Sequence, residues 1–430
     1  MKKMIKTILC MLALSMVFHA CSSDDDPVDP VEPDTAIAPD VYEFYDADGN
    51  STVVYTGQVV RNLLIDDLKS NVTADPSILV SMYENDDANQ SRAIGSLSDQ
   101  PTVQTTYADF SNTSNLMGKI ASTGDGYGID DCIVSGYNME PDDLVRAWFT
   151  AAADGNYSSD GLNIQQMVQK GLMGLVSYYQ GTSKYLGLVT EQDNSGPDGT
   201  NYYTKMEHYW DESFGYFGAS ADYLNRTDSQ IQTGYYDTNN DGSIDFLSEN
   251  CIGSGVYAAK RDDHSNDTYD NFYDFTTEIM GAYLEGRHLI STGGSEDDII
   301  AQRTIIVNNW EKLMAANVIH YINETVEDIG DGSAWTGSET AACTADTELC
   351  QNYSKHYSEM RGFAIALAYN RYMLITSTDL ESVYSYMGSA PVWIGDAGAD
   401  ATLQFKADLL SARDLLQTAY MFDANVVAEW

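Results

Sequence analysis

The sequence predicts an all-α protein, and three observations carry that prediction. Apolar residues recur at three- and four-residue spacing over long stretches, the longest running from Ser295 to about Val326. Ser295, with Asp298 three residues on, forms a capping-box pattern at the head of that stretch. The stretches are separated by glycine-rich polar loops, and strand-like alternation is confined to Val53, Val54 and Tyr55. Long helices joined by such loops pack as a helical bundle, or as two fused bundles with a boundary near residue 200.

In chain order, Val60, Leu63, Leu64 and Leu68 place a helix over Gln58 to Lys69. Residues 86–114 read as polar loop around weaker helix, and 122–131 (STGDGYGIDD) as a glycine-rich turn. That turn is no phosphate cradle: it lacks a Lys-Ser/Thr partner, and its aspartates repel an anion. Asn163 to Tyr179 is strongly amphipathic, with Ile164, Met167, Val168, Leu172, Leu175 and Tyr178 on one side. Glu207 to Asn225 reads as a helix pair broken near Gly215 and Gly218, and Tyr273 to Ile290 as the next helix. The Ser295 helix carries Ile299, Ile306, Trp310, Leu313, Val318 and Ile322 on its apolar stripe. Asn352 to Ile375 and Ala401 to Ala419 complete the set, and no solenoid period is visible.

The chain has 430 residues, with 22 Lys plus Arg against 65 Asp plus Glu, a net charge of −43. A field of that sign repels nucleic acid and anionic membrane surfaces and favours cations, so no nucleic-acid partner is expected. The first 20 residues read as a secretory leader: Lys2, Lys3 and Lys6, then an apolar run from Ile5 to Phe18, too short to span a bilayer. Removing it takes away three lysines and no acid, which moves the charge to −46. Cys21 at the cleavage point resembles a bacterial lipobox cysteine, with His19 standing where a small residue is usual. Residues 21–40, rich in Pro and Asp, form a stiff charged tether, after which 41–430 is the helical domain. Cys132, Cys251, Cys343 and Cys350 remain in the body. The short loop between Cys343 and Cys350 makes them a candidate disulfide pair, and Cys132 with Cys251 follows by elimination.

Four of the six histidines fall on predicted helices. Residues three or four apart share a helix face, so His208 with Asp211 and Glu212, Glu285 with His288, and His356 with Glu359 each offer an imidazole and a carboxylate to one cation. His320 has no such partner but lies on the inward line Ile306–Leu313–His320. If these faces meet, they form a site for iron, zinc or haem. If they do not, they are ion pairs and buried histidines. No His-Glu-x-x-His or Gly-x-Ser-x-Gly pattern is present, and no catalytic residue is assigned.

The stretch DTNNDGSIDFLSE (237–249) follows the EF-hand template from position 1 to 9: Asp237, Asn239, Asp241, the turn glycine Gly242, the Ser243 carbonyl, Ile244 and Asp245. At position 12 stands Ser248, and Glu249 comes one residue late. Gly234-Tyr235-Tyr236 leaves no entering helix. The expectation is a calcium half-loop closed by Glu249, Asp262 or Asp263. Asp46-Ala47-Asp48-Gly49-Asn50 is a weaker match that reads as a turn.

EHYWDESFGYFGA (207–219) with the acidic loop, AAKRD (258–262) and HYSEMRGFAIAL (356–367) resemble an uncharacterised Bacteroidetes lipoprotein family, a domain of unknown function of the 4856 type, itself compared with imelysins. Cys21-Ser-Ser-Asp-Asp-Asp resembles the surface-export signal of such lipoproteins. The resemblance implies an imelysin-like helical fold and an outer-membrane lipoprotein, held through its lipid and facing the medium. Imelysins carry Gly-x-His-x-x-Glu; here His356 and Glu359 match and Ser354 replaces the glycine. The expected function is non-catalytic handling of iron, haem or another metal. The alternatives are capture of a glycan or nutrient beside an outer-membrane transporter, for which 30 Tyr and 6 Trp offer stacking surfaces, and metal-dependent hydrolysis.

Overall fold

In chain order the helices are α1 (Thr56–Ser70), α2 (Pro76–Glu84), α3 (Pro141–Ala151), α4 (Ile164–Leu172), α5 (Lys205–Phe217), α6 (Asp228–Thr233), α7 (Ser254–Arg261), α8 (Phe275–Thr292), α9 (Glu296–Ile329), α10 (Glu348–Ala366), α11 (Ser377–Met387), α12 (Ile394–Ala397), α13 (Ala399–Tyr420) and α14 (Ala424–Glu429). The structure is a computed structural model and describes residues 37–110, 113–262 and 273–430. The leader, the lipidation cysteine Cys21, the tether up to residue 36, Asp263 and His264 lie outside the described residues. Residues Ile37–Trp430 make one compact unit, and among them isolated β-bridges occur but no strands.

The helix ends follow local chemistry. Ser295 caps α9 by accepting the Asp298 N–H (3.2 Å), and three acids fill the first turn, where the helix dipole favours them. Thr204 and Glu207 form a reciprocal capping box on α5, which stops at Gly218 (φ 86°). There a Cβ would lie 2.2 Å from the Ile252 carbonyl oxygen, so only glycine fits. Val53 to Tyr55 forms no strand: Val54 N–H is taken by the Asp211 carboxylate (3.3 Å) and Tyr55 leads straight into α1.

Helix α9 runs through the centre, packed by α8, α10 and α13, while α4 lies between α1 and α10. The core therefore crosses residue 200: α1 sits on α5, and α4 on α10. The amphipathic stretch from Asn163 is α-helical only to Leu172 and then π-helical over Met173–Tyr178 and Gln180–Leu186. Gly181 lies on this wider coil. A Cβ there would meet the Trp310 ring at 2.6 Å, so the missing side chain is what lets α9 close in. The aromatics are mostly core. Trp310 is fully buried, donates to Ser254 Oγ (2.9 Å), and stands edge-on to Phe217 and Tyr178. That packing, rather than display as stacking platforms, is where most of the tyrosines and tryptophans are spent.

Candidate functional site

The histidine faces do not gather at one place. On α5, His208 stacks on Tyr203 (4.5 Å between ring centres), and its Nε2 is 4.0 Å from Glu212, whose carboxylate accepts from Gln58 Nε2 (2.8 Å). Asp211, on the neighbouring face with Glu207, is taken by Arg287. Glu285 and His288 stand half-buried on α8 and form no ion pair with each other. His320 Nδ1 is 2.9 Å from the Trp430 carbonyl, and burial, reinforced by Arg261, pulls the imidazole down to about 4, so it is neutral at ordinary pH.

His356 and Glu359 correct the expected His-x-x-Glu pairing. His356 Nδ1 meets Asp328 (2.8 Å) and Glu324 (3.9 Å) of α9. Glu359 turns to Lys170 of α4 (3.4 Å) and to the Tyr321 hydroxyl (3.2 Å). Three residues along a helix leave an offset of about 60°, and α10 is clamped between two neighbours, so that offset sends the two side chains to different helices. Tyr321 does bring His320 and His356 into one neighbourhood, its ring centre 4.7 and 6.4 Å from theirs. Among the described residues, no group of three or more His, Cys, Asp or Glu side chains stands together to share a metal ion.

The acidic loop is a self-bonded turn. Tyr235 and Asn250 bridge at its base. Asp237 accepts the N–H groups of Asp241 (3.2 Å) and Gly242 (2.9 Å), Asn239 that of Asp241 (2.8 Å), and Asp241 that of Ser243 (2.8 Å). Asn240 and Gly242 take the left-handed conformation (φ 58° and 86°). Glu249 closes the loop from one residue late: it is buried, one oxygen accepting from Thr238 N–H (2.9 Å) and the other from Asp245 N–H (3.0 Å). Of the other proposed closers, Asp262 instead accepts the Phe275 and Thr276 N–H groups at the head of α8. Helix α6 stops at Gly234, so no helix runs into the loop. Ile244 pins it to the body through Val103 N–H (3.0 Å) and the Pro101 carbonyl (2.9 Å). The donors are hard oxygens of the kind calcium takes, and each oxygen keeps a second lone pair beyond its N–H bond. In the weaker match, Asp46 accepts the Asp48 and Asn50 N–H groups in a plain turn.

Cys343 and Cys350 are bonded (S–S 2.08 Å) across the turn that starts α10. Cys132 and Cys251 are both free and buried, which corrects the pairing reached by elimination. They have different neighbours: the Cys132 carbonyl accepts from Tyr369 OH (2.7 Å), while the Cys251 thiol donates to Ser220 Oγ (3.4 Å) and accepts from Arg226 (3.7 Å). Burial raises both thiols, so neither is a ready nucleophile.

A site that the sequence reading missed lies between α1, α4 and α7, walled by the stem of the acidic loop. This cleft of about 380 Å³ is lined among others by Asp66, Lys69, Gln165, Gln169, Gln232 and Lys260. Lys170 lies buried close by, against Glu359. The available signal was the scarcity of cations: with 22 in the chain, three lysines at one place stand out, but they come from three separated segments.

The family model described as a Domain of unknown function (DUF4856) matches residues 151–341. No curated protein and no solved structure matches the chain.

Proposed function

We propose that the protein, whose residues 151–341 match the model of a domain of unknown function, DUF4856, is an outer-membrane lipoprotein on the cell surface. In this reading it captures a soluble nutrient without chemistry, beside an outer-membrane transporter. The observation that carries the reading is the polar cleft with its lysines, set in a rigid helical body. The leader, Cys21 and the Pro/Asp tether supply the anchor. The aromatics favour no stacking surface, since most are buried. In cells, lipid-precursor labelling is expected to mark the protein and Cys21→Ser to abolish the label, and external protease is expected to remove the protein from intact cells. An unlabelled, protease-protected protein overturns the anchor and with it the reading.

Handling of iron, zinc or haem stands as the second reading, and one observation favours it: His320 and His356 both flank Tyr321, with Asp328 and Glu324 on His356. Against it, His208 and His288 lie on other helices with other neighbours. Calcium enters the proposal as a structural ion of the 237–249 loop, supported by the order of donors and the left-handed Asn240 and Gly242. One experiment separates the metals: elemental analysis and thermal unfolding of purified protein before and after chelation. Calcium at about 100 times its dissociation constant is expected to stabilise by about 2.7 kcal/mol, and Asp237→Ala with Asp241→Ala to abolish the gain. An unfolding midpoint indifferent to calcium leaves the loop a hydrogen-bonded turn. Retained iron, zinc or haem reinstates the histidine reading.

A further inference from the structure

The geometry points to the cleft between α1, α4 and α7 as a binding site for a small organic anion that also carries hydroxyl groups, of the acidic-sugar or sugar-phosphate class. The inference rests on the capture reading in taking this cleft as the ligand's seat.

Its charge departs from the rest of the molecule. Acids outnumber cations 65 to 22 in the chain, so the charged residues that line a recess would ordinarily be acids. Here the lining holds Lys69 and Lys260 against the single acid Asp66. Asp66 is already engaged, accepting from Gln169 Nε2 (2.6 Å). Lys69, in the last turn of α1, is half-buried, and Lys260, in the last turn of α7, stands at the edge. Neither ammonium has an ion-pair or hydrogen-bond partner among the described residues, although Lys260 lies over the Tyr257 ring (5.0 Å). Lys170 brings a third positive charge to the same ring (5.2 Å), and Glu359 neutralises it. Lysines at helix ends commonly complement the dipole from water. Lys69 is instead drawn partly out of water, and an incoming anion offsets that cost.

The amides define the rest of the ligand. Gln165 donates Nε2 to the Lys69 carbonyl (3.2 Å), and Gln232 donates to the Ala259 carbonyl (2.6 Å). Their own carbonyl oxygens take no hydrogen bond from the described residues, which leaves two acceptors suited to hydroxyl donors. Ammoniums for an oxyanion and amide carbonyls for hydroxyls together describe a polyhydroxylated acid. A volume of about 380 Å³ falls in the small-molecule range.

Desolvation first, then the nearby Lys170, pulls the Lys69 ammonium down to about 8. The other charges facing it are Asp66 on α1, Lys260 of the neighbouring α7, and Lys355 and Glu359 on α10. Only the protonated amine attracts an anion, so binding weakens as pH rises through about 8, by about tenfold between pH 7 and pH 9.

The test is titration calorimetry on the full-length, detergent-solubilised protein with D-glucuronate, D-glucose 6-phosphate and D-glucose at 0.15 M salt, where the long-range repulsion is screened. At least one of the two anions is expected to bind and the neutral sugar not; which anion binds assigns the oxyanion as carboxylate or phosphoryl. Lys69→Gln and Lys260→Gln are each expected to weaken binding by about tenfold or more, with the unfolding midpoint unchanged as a check on folding. Failure of both anions, equal binding of glucose, or undiminished binding by folded Lys69→Gln overturns the proposal. Turnover and transport are read separately. Consumption of the bound anion defeats the capture reading while the cleft stands, and an inert cleft on a lipid-labelled, surface-exposed protein defeats the cleft alone.

Discussion

Arg287→Met is expected to cost about 3–5 kcal/mol of stability, the usual penalty for removing one partner of a buried ion pair. Arg287 is fully buried on α8, and its guanidinium joins three parts of the chain. Nε donates to Asp211 (2.8 Å) and Nη1 to Glu207 (2.7 Å), both on α5. Nη2 donates to the hydroxyl (2.9 Å) and carbonyl (3.2 Å) of Thr52, and Phe44 lies beneath at 4.8 Å. Asp211 also accepts from Tyr42 OH (2.8 Å) and Val54 N–H (3.3 Å). Burial pushes this carboxyl up and the guanidinium pulls it back. The guanidinium charge 2.8 Å away makes the ionised form the one the site is built for. With methionine at 287 that charge stays buried with only two neutral donors. Adding Asp211→Asn removes the charge and is expected to recover part of the loss. Urea unfolding midpoints of the single and double variants measure both effects. A single variant within 1 kcal/mol of the parent, or a double variant that is simply the sum of the two, sinks the idea that this pair ties the N-terminal segment to α5 and α8.

Glu311 makes stability fall as pH rises from about 4.5 to about 7. It is buried on α9, and desolvation raises its carboxyl to about 7. It accepts from Leu374 N–H (2.8 Å), Asn370 Nδ2 (2.7 Å) and Tyr420 OH (3.0 Å), and so holds the turn after α10 against α13. Between the two pKa values the folded chain keeps a proton that the unfolded chain has released. Its contribution is therefore full below about 4.5, declines towards 7 and is flat above, a span of about 3 kcal/mol. Asp262, raised to about 7 by desolvation at the head of α8, acts in the same direction. Glu311→Gln removes the first titration and keeps one carbonyl acceptor. The variant is expected to be less stable than the parent at pH 5 and to draw level or pass it at pH 7.5. Urea midpoints at the two pH values decide this, and parallel curves for the two proteins rule the titration out.

Whatever depends on near neighbours in the chain is legible in the sequence. The α9 helix with its Ser295 cap, α1, and the helix from Ala399 to Tyr420 all announce themselves by spacing and capping residues. The Cys343–Cys350 bond spans seven positions and was within the same reach. Short helices such as α6 and α7 offer too few turns for a period to register, and the π-helical stretch after Leu172 keeps an apolar pattern that resembles ordinary helix.

By itself the sequence determined the helical class, the acidic surface, the match of residues 151–341 to the model of a domain of unknown function, and the turn chemistry of the loop at 237. Only the tertiary structure decided which polar groups meet. His356 and Glu359 are three apart on α10 and go to different helices. Cys132 and Cys251 sit free in separate parts of the core. Lys69, Gln165 and Lys260 are far apart in the chain and line one cleft. The physical reason is that helix periodicity specifies a face but not its neighbour. The neighbour is chosen by close packing of distant segments, at places such as Gly181 against Trp310, and a buried charge then takes whichever opposite charge that packing delivers.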